Sequence, residues 1–161
     1  MIEINDNKKG KDLSKIGIDH GINEMIKYQN EKEMNDQETP AYFACCSGDI
    51  TSIKILIDNG ADFGKPLQNG ISPFLAAIMN GHHDVVKLLL KDSNAKIGDI
   101  NQTTETGITP LSWAVYYNFP DIVALLLMKG ADITHPLKSN GMTSVHLACF
   151  HNRFECLSIL A

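Results

Sequence analysis

The sequence predicts an all-α solenoid, built of stacked helix-turn-helix units with short β-hairpin or loop fingers between them. Three observations carry this. Hydroxyl residues recur at Thr39, Ser72, Thr109 and Thr143, in steps of 33, 37 and 34 residues; a near-constant period of this size marks a repeated supersecondary unit. Each hydroxyl opens a short run of small and apolar residues that stops at a Gly or an Asn. A longer apolar run with helical spacing follows each stop.

The segment Asn69 to Leu90 holds one complete unit. Ser72 before Pro73 reads as an N-cap followed by the favoured first helical residue: the hydroxyl accepts an orphan backbone N–H, and Pro lacks one. Thr39-Pro40 and Thr109-Pro110 repeat the signal, and Thr143-Ser144 is its variant. Ala44, Ala77, Ala114 and Ala148 lie one turn further in, where a small residue lets helices approach closely. Gly48 and Gly81 end the first helices, and Asn118 and Asn152 take that place later, being next most tolerant of a left-handed backbone. The second helices carry apolar residues three and four apart: Ile53, Leu56 and Ile57; Val85, Val86, Leu89 and Leu90; Ile122, Val123 and Leu126. A single helix pair cannot bury such a face. Neighbours bury it for one another, so stability is largely a nearest-neighbour property.

At the N-terminus, residues 1–11 are charged and rich in Asn and Lys, and read as frayed. With Gly21 set against Gly48, GINEMIKY falls on GDITSIKI, and Met25, Ile26 and Tyr28 take apolar slots. Leu13 to His20 and Ile22 to Lys32 then form a degenerate helix pair with a polar outer face, as a capping unit should. A single irregular helix with a polar linker is the alternative. Between the second and third units the step is four residues longer, and the extra residues should bulge from the helix end at Asp92 to Gly98. Drift in a surface loop and a partner-specific loop both fit that insertion. In the third unit Pro120 suits a first helical turn, and Trp113 reads as packing between units. The last unit stops at Leu160-Ala161, inside its second helix. Either the chain is a piece of a longer protein, the preferred reading, or its last helix is short and needs cover.

These units resemble ankyrin repeats. The family's T-P-L-H-x-A motif stands here as SPFLAA, TPLSWA, TSVHLA and, more weakly, TPAYFA. Its G-A-D closing turn stands as Gly60-Ala61-Asp62 and Gly130-Ala131-Asp132. The second unit has Ser93-Asn94-Ala95 there instead, with Asp99-Ile100-Asn101 as the displaced end of the phrase. The resemblance covers residues 38–161, as repeats at about 38–68, 69–104, 105–138 and 139–161, the last truncated. Residues 1–37 remain as the polar N-terminus and cap, and Gln37 stands where the family has a finger Gly.

The resemblance implies a concave groove lined by the two residues before each inter-helix turn and by the residue after each finger Gly. The first set is Cys46 and Ser47, Met79 and Asn80, Tyr116 and Tyr117, Phe150 and His151; the second is Ile71, Ile108 and Met142. Met and aromatic residues are enriched at the centres of interfaces. The groove is therefore expected to bind a protein partner through Met79, Asn80, Tyr116, Tyr117, Phe150, His151, Ile71, Ile108 and Met142. The competing reading folds some rings back onto neighbouring units as packing, Tyr116 more than Tyr117 or Phe150.

Composition narrows the function. The chain has 161 residues and a formal net charge of −5, which disfavours nucleic-acid binding. No apolar run approaches a membrane span, and the polar N-terminus does not read as a secretory signal. Cys45, Cys46, Cys149 and Cys156 show no paired spacing. Cys45 and Cys149 lie beside the small Ala of their units and read as reduced core thiols, so a cytoplasmic or other reducing intracellular setting is expected. Cys149, His151 and Cys156 come nearest to a metal set, but their intervals are unlike those of zinc sites. His82 and His83 are adjacent and diverge, and His146 matches the motif His and should bond locally. No nucleophile arrangement or phosphate loop is present. The expectation is a monomeric, non-enzymatic interaction module without cofactor or metal. The alternatives are a targeting or regulatory repeat fragment of a larger enzyme, channel or effector protein, and a structural or self-associating spacer.

Overall fold

The computed structural model of the chain describes residues 39–67 and 70–161. Among these residues eight helices form four pairs: α1 Pro40–Ser47 with α2 Ile50–Asp58, α3 Pro73–Met79 with α4 His83–Lys91, α5 Pro110–Tyr116 with α6 Pro120–Met128, and α7 Ser144–Phe150 with α8 Phe154–Leu160. The first helix of each pair packs on the first helix of the next, and the second on the second. The result is the two-row stack the repeat period predicts. The proposed N-terminal helix pair lies outside the described residues.

Each pair forms for the anticipated local reasons. The side-chain oxygens of Thr39, Ser72 and Thr109 accept from the backbone N–H groups of Tyr42, Leu75 and Ser112 at 3.1–3.2 Å. Without Pro at 144, the fourth unit caps differently: His146 Nδ1 accepts from the Thr143 N–H at 3.2 Å and lies 2.9 Å from Thr143 Oγ1. The residues after the first helices are left-handed, with φ of 73° at Gly48, 68° at Gly81, 60° at Asn118 and 55° at Asn152. Ala44, Ala77, Ala114 and Ala148 are all buried. Buried with them are Ile53, Leu56 and Ile57 of α2, Val85, Val86, Leu89 and Leu90 of α4, and Ile122, Val123 and Leu126 of α6.

Of the two forms expected for the fingers the structure has loops: among the described residues there is no strand, only an isolated parallel bridge between Asp62 and Lys96. Each finger closes on itself by two backbone bonds, as in Thr104 N–H to Ile108 O at 3.0 Å and Gly107 N–H to Thr104 O at 2.9 Å. That is too short a ladder to propagate as a hairpin. Two other expectations, for the insertion and for Cys149, need correction. The insertion does not bulge freely. Lys96 O accepts from the N–H groups of Phe63 at 2.8 Å and Gly64 at 3.0 Å, and Lys96 Nζ donates to Gly60 O at 3.2 Å. The extra residues thus reach back and bond to the backbone at the buried Phe63. Beyond them, Asp99 Oδ1 accepts from Asn101 N–H as Asp132 Oδ1 accepts from Thr134 N–H, so the displaced closing turn is a real one. Finally, Cys149 is exposed, not a core thiol. Its register equivalents Cys45, Ile78 and Val115 are each covered by a following unit. No further helix lies beyond α8 among the described residues to cover Cys149.

Candidate functional site

The ends of α5 and α7, with the turns beside them, collect the exposed rings. Trp113, Tyr116 and Tyr117 are three and four residues apart, so they emerge on one side of α5. Tyr117 lies parallel to the Trp113 indole, with centroids 5.4 Å apart and planes at 12°. On to Phe119 the stacking continues at 5.9 Å and 18°. Phe119 meets His83 of α4 edge-on at 5.2 Å. In the other direction Tyr116 meets His151 edge-on at 5.0 Å, and His151 meets Phe150 at 5.1 Å. Seven rings from three successive units therefore form one connected row. Offset-stacked and edge-to-face pairs at such separations each contribute about 0.5–1.5 kcal/mol beyond area burial.

The row is fixed at its flanks. Arg153 donates from Nε and Nη2 to Tyr116 O at 3.2 and 3.0 Å, which ties the last turn of α5 to the fourth unit. His82 makes the same cross-unit link to Cys46 O at 2.8 Å. The equivalent slot of the third unit holds Phe119, which has no polar hydrogen to donate. Its ring goes into the row instead. His83 Nδ1 also lies 3.6 Å from Asp121 Oδ2.

Of the residues expected in the groove, the structure brings together Tyr116, Tyr117, Phe150 and His151. Tyr116 is 42% exposed and Tyr117 40%, so exposure does not separate them, and Phe150 is 73% exposed. Met79 and Asn80 occupy the equivalent positions one unit earlier; Met79 is half-buried, and Asn80 spends its Nδ2 on Ala76 O at 2.8 Å. Cys46 and Ser47 lie a further unit back, with the Ser47 hydroxyl on Ala44 O. Ile71, Ile108 and Met142 are half-buried on the fingers, at the opposite ends of the first helices. A seven-residue helix separates them from the rings by about 10 Å along its axis.

Sequence reasoning missed Phe119 and His83 and gave Trp113 only a packing role. Their signals were present: Trp113 stands at helical spacing from both tyrosines, and Phe119 occupies a slot that is His in the unit before. Trp113 does pack against the core, but its Nε1 is buried with no hydrogen-bond partner among the described residues. Cys149, His151 and Cys156 do not converge: the Cys156 thiol is buried 3.6 Å from Asn118 Oδ1 while Cys149 faces outward. Among the described residues no group of three His, Cys, Asp or Glu side chains could hold a metal. No helix there is long and apolar enough to cross a membrane.

Comparison with known proteins agrees with this architecture. A family model described as ankyrin repeats (3 copies) matches residues 14–101, 42–137 and 96–161. The chain is 32% identical over 131 residues to the human transient receptor potential cation channel subfamily A member 1, covering 80% of this chain and 11% of that protein. It is 38% identical over 104 residues to an alpha-latrocrustotoxin of Latrodectus tredecimguttatus, covering 65% of this chain and 7% of the toxin. To an E3 ubiquitin-protein ligase of Arabidopsis thaliana it is 28% identical over 119 residues, covering 73% and 22%. The chain thus spans less than a quarter of the length of each of these relatives.

Proposed function

The chain belongs to the ankyrin-repeat family, and on that premise we propose that it binds a partner protein, without catalysis, through the ring row of the third and fourth repeats. Repeats of this family are protein–protein interaction modules. The observation that supports placing the contact here is the connected row itself, with Tyr116, Tyr117 and Phe150 substantially exposed. A soluble chain seldom leaves such rings contiguous at its surface without using them. Met79, Asn80 and His151 extend the surface, and Ile71, Ile108 and Met142 supply contacts from the fingers.

The test is the double variant Tyr117→Ala/Phe150→Ala. Aromatic anchors at interface centres contribute enough that removing two should weaken partner capture by at least about tenfold. Unchanged capture by a variant that still melts cooperatively would place the contact elsewhere. As to setting, four free cysteines fit a reducing compartment such as the cytoplasm. We take the chain to be a monomer; sedimentation that depends on concentration would count against this.

A second reading has its own support. The relatives named above are far longer than the segment they share with this chain. These repeats would then be the targeting or regulatory portion of a larger protein. The transcript tests it: a reading frame that opens at Met1 and closes directly after Ala161 removes this alternative.

A further inference from the structure

We propose that the ring row takes a proline-rich segment in the polyproline II conformation, with Trp113 Nε1 donating to one of its carbonyls. This rests on the reading of the row as the partner surface and specifies its ligand.

The argument begins with the unpartnered donor. Trp113 Nε1 is closed to solvent and bonds to nothing among the described residues. A buried donor left unmade is costly, and each instance in a folded protein calls for an explanation. It lies in the middle of a surface built for contact, beneath a side chain, Tyr117, that stacks on the same indole. Rotation of the half-exposed Tyr117 is the motion that admits an acceptor to it.

Charge complementarity then selects the ligand. Helices α5 to α8 carry only two carboxylates, Asp121 and Glu155, each in the first turn of its helix, where the positive helix end offsets part of its charge. Arg153, in the turn before α8, keeps its charge while donating to Tyr116 O and so stands against the two carboxylates, and His83 lies beside Asp121. With few charges and both signs present, the face is close to neutral. What it offers are donors: the indole N–H and the hydroxyls of Tyr116 and Tyr117. A neutral surface rich in donors and rings complements a neutral segment rich in acceptors and rigid apolar rings. Polyproline fits this description. It has no backbone N–H to satisfy, its carbonyls make no internal hydrogen bonds, and its conformation is already ordered before binding. Aromatic-lined grooves recognise such segments elsewhere by the same physics. An amphipathic helix would bring carbonyls that are already bonded, and a charged segment would find no net field.

The test uses the full chain and a blocked decaproline peptide, with a blocked Gly-Ser peptide of equal length as control. Trp113 is the only tryptophan, so its fluorescence and its single indole N–H resonance both report from the site. Decaproline should shift the indole resonance downfield in a saturable titration, and Gly-Ser should not. Trp113→Phe keeps a ring but removes the donor, and should weaken decaproline about five- to tenfold. The proposal is overturned if decaproline leaves the indole resonance in place, if Gly-Ser binds equally, or if folded Trp113→Phe binds as the parent does. Should decaproline fail while Tyr117→Ala/Phe150→Ala still loses its partner, the ligand class is wrong and the surface stands.

Discussion

Replacing Gly64 by Ala should destabilise the stack through a contact no single repeat contains. An ideal Cβ at Gly64 would lie 2.4 Å from the Ile97 carbonyl carbon, 2.4 Å from the Gly98 nitrogen and 2.5 Å from Ile97 O. These are backbone atoms and cannot swing aside. Carbon contacts settle near 3.5–4.0 Å, so the two loops must part by about 1 Å. Parting strains both bonds to Lys96 O, made by the backbone of the fully buried Phe63 and of Gly64. Two backbone bonds at about 1 kcal/mol each, with overpacking of a similar size, give a loss of about 2–4 kcal/mol. For a domain of this size that is roughly 6–12 °C in Tm. Circular dichroism melts supply the number, and hydrogen exchange locates it: the amides of Phe63 and Gly64 should lose protection. Gly141→Ala is the control. Its φ is +70° and nothing lies within 4 Å of the added atom, so it carries only a left-handed backbone cost of about 1–2 kcal/mol. If Gly64→Ala melts no lower than Gly141→Ala, with exchange at Phe63 unchanged, the insertion is not a structural clasp and the reasoning fails.

Leu126 is fully buried in α6, and Leu126→Ala should cost about 2–5 kcal/mol in urea unfolding; a loss under about 1 kcal/mol would mean that the stack collapses into the cavity. Iodoacetamide at pH 8 should label the exposed Cys149 first and the buried Cys45 only on unfolding, because burial, and then the neighbouring Cys46, pushes the Cys45 thiol up and keeps it protonated. Peptide mapping of the labelled chain reads the order. The same shift sets a pH dependence: unfolded Cys45 ionises near its ordinary value of 9.0 while folded Cys45 keeps its proton. Stability from this source is complete below pH 9 and falls above it, by at most about 1.4 kcal/mol per pH unit. Cys45→Ala should flatten that part of the alkaline limb, as chemical denaturation at pH 8 to 10.5 would reveal.

Most of the architecture was legible because it is local. A hydroxyl before Pro caps a helix wherever it stands, and Gly or Asn after a short helix turns left-handed whether or not its neighbours are known. What sequence could not supply was cover. Cys149 and Cys45 are the same residue in the same register, yet one is exposed and the other buried, since among the described residues α1 has a further unit packed over it and α7 has none. The insertion was likewise legible as extra length and not as a clasp. Its bonds to Phe63 and Gly64 span more than thirty residues, and no periodicity announces them. In the candidate site the tyrosines and Phe150 could be found by position. Phe119 lies outside the two positions before the turn that defined the expected groove, and only its contrast with His82 in the unit before marks it.

That slot explains how an aromatic surface arises from a repeat without loss of the stack. In two of the three junctions a polar side chain, His82 or Arg153, reaches back to a carbonyl at the end of the preceding first helix. The middle junction gives up this link. Phe119 stands there, and its ring joins Tyr117 on one side and His83 on the other. A single hydrogen bond of this kind contributes about 0.5–1.5 kcal/mol, and two ring contacts together return about 1–3 kcal/mol. The junction therefore loses no stability in the exchange, while the surface changes from polar to aromatic across three repeats. Within this fold, a side chain in the inter-helix turn decides whether neighbouring repeats are only held together or also share an aromatic face, here the one proposed for a partner.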